Sequence, residues 1–323
     1  RSVPMISDQG PLLLLTGGVG GAKLAYGFSK VYQNDLLSYL VNTADDFEYS
    51  GLYICPDIDT LLYTLSGKSD KDRGWGVAGD SWNCLDALGM LGLETWFQLG
   101  DKDLATHLYR THQTSLGYSL SNVVSDIANR FSIKSLVMPM TDQRVSTVLH
   151  TDEKDLDFQE YFVRRKCAPA VRSISVSGID VAKPSSALIQ YFYESPPSRI
   201  IICPSNPFLS IDPILGIPGL AELISNSGAP VIGVSPIVSG NALKGPAGKI
   251  FAELGRKVSA LSVAEYYSER YPGLISCFVI DRTDKDLAES IRRLGLSVII
   301  TNTVMITDLD KSELALSLLD CAV

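Results

Sequence analysis

Seven short apolar runs recur along the chain, at residues 12–15, 36–41, 135–140, 199–203, 230–234, 277–280 and 297–301, and helix-length segments separate most of them. Runs this short and this uniformly apolar suit strands buried on both faces, so the spacing predicts a parallel sheet sandwiched between helices. Several runs end in turn chemistry: Gly17-Gly18, Asn42-Thr43, Pro204-Ser205-Asn206-Pro207 and Ser235-Pro236. In open α/β sheets ligands bind beyond the carboxyl ends of the strands, which makes these turns the first place to look for a site.

Between Asp86 and Arg130 the apolar period is helical, broken at Gly100-Asp101 and Gly117. From Val145 to Val163 it changes to two strand-like runs, 146–150 and 158–163, joined by the charged turn Thr151-Asp152-Glu153-Lys154-Asp155. That pattern predicts a β-hairpin. The expected fold class is α/β, with a Rossmann-like core made of residues 1–141 and 191–323 and a small inserted subdomain at 142–190 that carries the hairpin.

Composition alters this picture little. The 323 residues are 46% apolar and 20% charged, an ordinary globular balance with enough chain for a large core. A net charge of -8 argues against a nucleic-acid surface, and the one basic cluster, Arg164-Arg165-Lys166, reads as a solvated strand end. Six cysteines, at 55, 84, 167, 203, 277 and 321, include no Cys-x-x-Cys pair, so reduced thiols and a cytoplasmic protein are expected. Three histidines, at 107, 112 and 150, are badly spaced for zinc, and any metal is expected to be hard and oxygen-bound. No membrane span or signal-peptide layout is expected, and residues 1–4, ahead of the first Met, read as an expression remnant.

The candidate chemistry is concentrated near the first strand. There the apolar run enters Thr16-Gly17-Gly18-Val19-Gly20-Gly21-Ala22-Lys23-Leu24, a strand opening through glycines into a helix. Glycines let the backbone approach a phosphate, while free N–H groups and the helix dipole favour negative charge. Ala22 before Lys23 and Leu24 after it exclude a Walker A loop, and Lys23 replaces the last glycine of a dinucleotide fingerprint starting at Gly18. Two carboxylate pairs follow, Asp45/Asp46 and Asp57/Asp59, flanking Leu52, Tyr53 and Ile54. Acids among apolar residues are expected to face a cation, a polar ligand or solvent.

Weaker signals surround these. Asp101 is placed to cap a helix starting at Lys102, whose ammonium in a first turn opposes the helix dipole and suggests a partner elsewhere. His107 reads as a packed or capping histidine. Ser205 and Asn206 between prolines suit a nucleotide, and Ser235-Pro236 with Gly245-Pro246-Ala247-Gly248-Lys249 supplies a second polar rim. Trp75, Trp82, Trp96 and Phe97 suit either ring stacking or plain packing.

Together these segments resemble the 2-phospho-L-lactate transferase family, CofD in archaea and FbiA in actinobacteria, of coenzyme F420 biosynthesis. The likeness spans almost the whole chain and is carried by residues 17–24, 42–46, 56–60, 73–76, 99–107, 139–142, 204–207, 235–237 and 263–267. It implies transfer of a phosphorylated three-carbon acid from a guanosine diphosphate conjugate to the terminal ribityl hydroxyl of the deazaflavin Fo, with release of GMP and assistance from Mg2+. By the family pattern Asp59 and Lys102 contact Fo, Asp45 and Asp57 are the metal ligands, and Gly18, Gly20, Ser205 and Asn206 hold the nucleotide, with Lys23 and Ser235 completing that set. Asp59 is the candidate acceptor of the hydroxyl proton, beside Asp57 and Asp45 in the catalytic set. A homodimer without nucleic-acid or membrane partners is expected.

Two alternatives stand beside this. The related gluconeogenesis-factor family shares the glycine loop and an Ala-Asp-Asp segment but binds nucleotide sugars as a regulator; its pattern differs at Pro56-Asp57-Ile58-Asp59-Thr60. A nicotinamide-dependent oxidoreductase is suggested by fold analogy alone, and Lys23 counts against it.

Overall fold

The computed structural model describes residues 10–243 and 245–319, so residues 1–4 and Cys321 lie outside the described residues. All seven apolar runs are strands of one sheet: β1 Leu12–Thr16, β2 Leu37–Val41, β3 Leu136–Pro139, β4 Arg199–Ile202, β5 Val231–Val234, β6 Cys277–Asp281 and β7 Ser297–Thr301. Every pairing is parallel and the order across the sheet is β7-β6-β5-β4-β1-β2-β3. The chain builds outward from β1 to β3, then returns to the other side of β1 and builds outward again. Between β1 and β4 the direction of winding reverses, and such a switch point opens a crevice at the carboxyl edge.

Alternate residues of β1 serve opposite faces, as the period of a strand requires. Leu12 and Leu14 pack with Leu24 and Phe28 of helix α1 (Gly18–Val31) and with Leu314 of helix Asp308–Leu319. Leu13 and Leu15 face Leu188, Leu209, Ile214 and Val263 on the other side. The sheet is thereby covered on both faces, which is why its strands read as unbroken apolar runs. Among the described residues no single helix is long and apolar enough to cross a membrane.

The inserted segment differs from the hairpin expected. Strand Ser146–Thr151 does turn back through Thr151-Asp152-Glu153-Lys154, but its hairpin partner is only Asp155–Asp157, and its other edge pairs with Val171–Ser177. Glu160–Arg164 winds into a π-helical turn instead of a strand. Phe158 and Phe162, four residues apart, stack with ring centroids 5.3 Å apart, while Tyr161 is fully buried, so these apolar positions share a helical face. Leu149, Leu156, Tyr161 and Val171 join the same apolar cluster as Leu13 and Leu15 of the main sheet. Arg164-Arg165-Lys166 lies at the end of this turn rather than at a strand end, with Arg164 and Arg165 paired to Glu94 and Glu153.

The glycine loop is built by close approach. Gly18 has φ +65°, and a Cβ on Gly20 would lie 2.6 Å from the carbonyl oxygen of Pro204, just past β4. The start of α1 therefore rests directly on the β4 turn. Gly20→Ala must push those two backbones apart, and we expect a loss of about 1–3 kcal/mol in the unfolding free energy measured with urea, the usual cost of overpacking. An unchanged midpoint would show that the two loops are not rigidly apposed.

Candidate active site

A cavity of about 780 Å³ opens above the carboxyl ends of β1 and β4. Its walls come from the glycine loop, the Pro204-Ser205-Asn206 turn, the acids Asp45, Asp57 and Asp59, the 73–76 loop, and Phe97, Phe158 and Phe162. The sequence-derived residues Gly18, Gly20, Lys23, Ser205 and Asn206 all reach it.

At one end is the start of α1, which has neither a capping side chain nor an acid in its first turn. The Gly17 N–H donates to Ser205 Oγ (3.1 Å), and Ser205 Oγ donates to the Gly17 carbonyl (2.8 Å), so Ser205 locks the loop to the β4 turn. The Gly18 N–H donates to Asp57 Oδ1 (2.8 Å). N–H groups of the next residues, Val19 and Gly20, have no carbonyl in the preceding turn to bond, which leaves this end suited to an anion. Asn206 Oδ1 accepts from the N–H groups of Phe208 and Leu209, while its Nδ2 is buried without a partner. Lys23 Nζ donates to the Met305 carbonyl (3.0 Å) at the cavity wall.

The acids are buried together. Asp57 begins helix α2 (Pro56–Leu65), whose Pro56 occupies the first turn, and its Oδ2 accepts from Asn42 Nδ2 (3.0 Å). Burial raises the Asp57 carboxyl, against the lowering effect of Asn42 and Gly18. Burial, then the charges of Asp57 and Asp46, push Asp45 well above the ordinary carboxylate range, and its Oδ1 has no hydrogen-bond partner. An orphaned carboxylate oxygen beside a second acid matches the donor set of a hard divalent cation, so Asp45 and Asp57 fit such an ion. Asp46 does not reach the cavity; its Oδ2 accepts from Tyr53 OH (3.0 Å), and burial raises its carboxyl to about 8.

Asp59 has a different partner. Helix α3 (Asn83–Met90) is followed by α4 (Asp101–Ser115), whose inward face carries Asp103, His107 and Arg110. The guanidinium of Arg110, completely buried, forks onto both oxygens of Asp59, Nη1 at 3.1 Å from Oδ2 and Nη2 bonded to Oδ1. His107 Nδ1 lies 3.2 Å from Arg110 Nη1, and its Nε2 lies 3.2 Å from Asp103 Oδ1, off the hydrogen-bonding direction. His107 is thus packed as expected, but within an ionic network. Arg110 was missed from sequence, although Asp103, His107 and Arg110 at spacings of four and three form one helical stripe.

Other expected residues lie elsewhere. Lys102 is outside the cavity wall, and its Nζ donates to the carbonyls of Ala78 (3.3 Å) and Gly79 (2.8 Å). Ser235 is buried, exchanging hydrogen bonds with the backbone of Ile237, while Pro236 lines the cavity. Lys249 turns toward the inserted segment, pairing with Glu253 and the Pro169 carbonyl. Asp101 does not cap α4: its carboxylate takes the N–H groups of Asn83 and Cys84 at the start of α3, and Asp80 instead receives those of Lys102 and Asp103. Trp75 faces the cavity and is 44% exposed, whereas Trp96 packs on Phe47 and Tyr49 and Trp82 lies under Arg73.

Asp46 offers a test of these electrostatics. Its folded value of about 8 lies above the ordinary 3.8, so its contribution to stability is full at low pH and is lost as pH rises from about 4 through 8. Asp46→Asn should flatten that part of the stability profile in metal-free protein; urea midpoints with the same slope in both proteins would contradict it.

The 2-phospho-L-lactate transferase CofD family model matches residues 12–308. A phosphoenolpyruvate transferase of Streptomyces coelicolor is 35% identical over 304 residues, covering 93% of each chain. The 2-phospho-L-lactate transferase of Methanosarcina mazei is 34% identical, covering 94% of this chain and 98% of the relative. Among solved structures, a Bacillus halodurans protein matches with a TM-score of 0.68 at 15% identity over 97% of this chain and 100% of that one, and a second structure, described as a member of the UPF0052 family, matches with 0.65. These two likenesses establish the shared fold. A match that runs from the first strand to the last described helix, with relatives of the same length, leaves one assignment: the chain belongs to the CofD family of 2-phospho-L-lactate transferases.

Proposed function

We propose that the protein transfers a phosphorylated three-carbon acid, 2-phospholactate or phosphoenolpyruvate, from its guanosine diphosphate conjugate to the terminal hydroxyl of Fo, in coenzyme F420 biosynthesis. The observation that carries this is one cavity joining an anion-binding helix start to a buried acid pair and an aromatic rim. Relatives named for phospholactate and for phosphoenolpyruvate are similarly close to this chain, which keeps both acids as donors.

In this reading the guanylated diphosphate lies against the Val19 and Gly20 N–H groups, with Asn206 Nδ2 free to bond it. The planar deazaflavin lies on the aromatic side, where Trp75, Phe97, Phe158 and Phe162 offer ring faces or edges. The Fo hydroxyl oxygen bonds to the phosphorus bearing the three-carbon acid, and the bond from that phosphorus to the bridging oxygen breaks, so that GMP leaves with its electron pair. Asp59 keeps two lone-pair positions beyond the Arg110 fork, enough to orient the hydroxyl and face its proton. Asp45 and Asp57 would hold magnesium, which supplies charge neutralisation for the diphosphate. Most of the rate then comes from placing two substrates in line in a water-poor cavity.

Purified protein with magnesium, Fo and each guanylated acid, analysed by mass spectrometry, tests the reading; GMP and a phosphodiester of Fo are expected, and no product with any donor would end it.

Asp57→Asn should lower turnover by at least about tenfold, the size of one lost charged contact of ~1.4 kcal/mol. It should also remove the rise in melting temperature that magnesium gives the native protein, while the metal-free variant still folds with a modestly lower melting temperature, because its amide can accept from only one of the two donors, Gly18 N–H and Asn42 Nδ2, that Asp57 serves. A variant still stabilised by magnesium would place the cation elsewhere.

For Trp75→Ala the expectation is a several-fold higher KM for Fo with the donor KM unchanged, the loss of one stacking face being worth about 0.5–1.5 kcal/mol. Equal rises in both constants would take Trp75 out of the acceptor subsite.

A further inference from the structure

Asp59 reaches the cavity and Arg110 does not. Among the described residues Arg110 is nevertheless the largest fully buried side chain, and its Nε–H has no partner there. An interior guanidinium with an unsatisfied donor costs stability, so its retention asks for a use beyond packing. Of its other donors, the two Nη1 hydrogens are shared among Asp59 Oδ2, the Tyr53 carbonyl (3.2 Å) and His107 Nδ1, and Nη2 bonds Asp59 Oδ1.

Arg110 Nη1 also faces His107 Nδ1 at 3.2 Å, and because a guanidinium has donors only, this contact is a hydrogen bond in the histidine tautomer that carries its proton on Nε2, toward Asp103. Asp103 is held in turn by Tyr63 OH (2.7 Å). Ligand atoms of Asp59, Asp103 and His107 lie within 4.8 Å of one another, a spacing that would suit a metal ion. Arg110 already faces His107 Nδ1 and holds both Asp59 oxygens, and its own positive charge opposes a cation there. Despite burial, which alone would lower it, the charge of Asp59 holds the Arg110 guanidinium above its usual pKa.

We infer that Arg110 is a positioning residue for the acceptor side of the reaction: its fork, packed against His107, fixes the orientation of Asp59 and supplies its counter-charge. This rests on the transferase reading above. A carboxylate as buried as Asp59 has no other permanent cation beside it among the described residues, and the fork is what holds its two oxygens in place. Lysine cannot replace the arginine, because a single ammonium cannot grip both oxygens.

The test compares native protein, Arg110→Lys and Arg110→Ala in steady-state assays with Fo and the guanylated donor, alongside melting curves with and without magnesium. For Arg110→Lys, kcat/KM for Fo should fall by about 100-fold, the scale on which a misplacement of about 1 Å registers, while donor KM and the stabilisation by magnesium are retained. Guanidinium at millimolar, non-denaturing concentration should partly restore turnover of Arg110→Ala. Full activity in Arg110→Lys overturns the inference while leaving the transferase reading intact. So does an Arg110→Lys protein in which both substrates' constants and the magnesium response fail together, with no rescue by guanidinium. Native protein inactive with every donor overturns both.

Discussion

The site depends on keeping negative charge where water does not reach. Asp45, Asp46, Asp57 and Asp59 are all at most 8% exposed, and each is compensated differently. Asp57 takes a backbone N–H at the start of α1 and the amide of Asn42; Asp59 takes a guanidinium; Asp46 is raised to about 8 and so is protonated near neutral pH. Asp45 and Asp46 each keep an orphaned Oδ1, and of the two only Asp45 lines the cavity. With Asp46 protonated, Arg110 balances one of the other three charges, and a divalent cation at Asp45 and Asp57, as proposed above, would balance the remaining two. Removing the arginine alone strands a buried carboxylate, a loss on the order of 3–5 kcal/mol, which shows how tightly the chemistry of this corner is coupled to its stability.

The core was legible because parallel strands covered on both faces leave an unbroken apolar record, and all seven were placed to within two residues at either end. The loop and the acids were legible because they are local in sequence: glycines at a strand end and carboxylates beside apolar residues announce themselves. What was not legible is nonlocal. Asp80 and Asp101 exchange helix caps across a loop, and no local rule says which helix start an aspartate will serve. Residues 158–163 read as a strand because their aromatic and branched side chains suit one, yet Phe158, Tyr161 and Phe162 stand at helical spacing, and packing against the core follows that spacing. Arg110 was hidden because a charged residue on a helix is ordinarily solvated, and its burial follows from Asp59 lying opposite.

Lys102 illustrates how an element can matter without touching the cavity. Its ammonium ties down the carbonyls of Ala78 and Gly79, at the end of the loop whose earlier residues Arg73, Gly74, Trp75 and Gly76 line the cavity. The start of α4 thus anchors the aromatic loop, while the inner face of the same helix holds Asp59 through Arg110. One helix therefore organises the proposed acceptor side, as α1 organises the donor side.

The two halves meet in a single helical turn. Asp57 and Asp59 are two residues apart at the start of α2, and a helix advances about 200° over that interval, so their side chains diverge. One carboxylate is delivered to the glycine loop and the other to Arg110, and the cavity lies between them. A one-residue change in their spacing would turn one of the pair toward a different neighbour, whereas Ile58 between them is fully buried and pins the turn to the core. The Pro56-Asp57-Ile58-Asp59 turn is consequently a rigid bracket: its apolar residue fixes the distance between two acids whose partners belong to opposite sides of the proposed reaction.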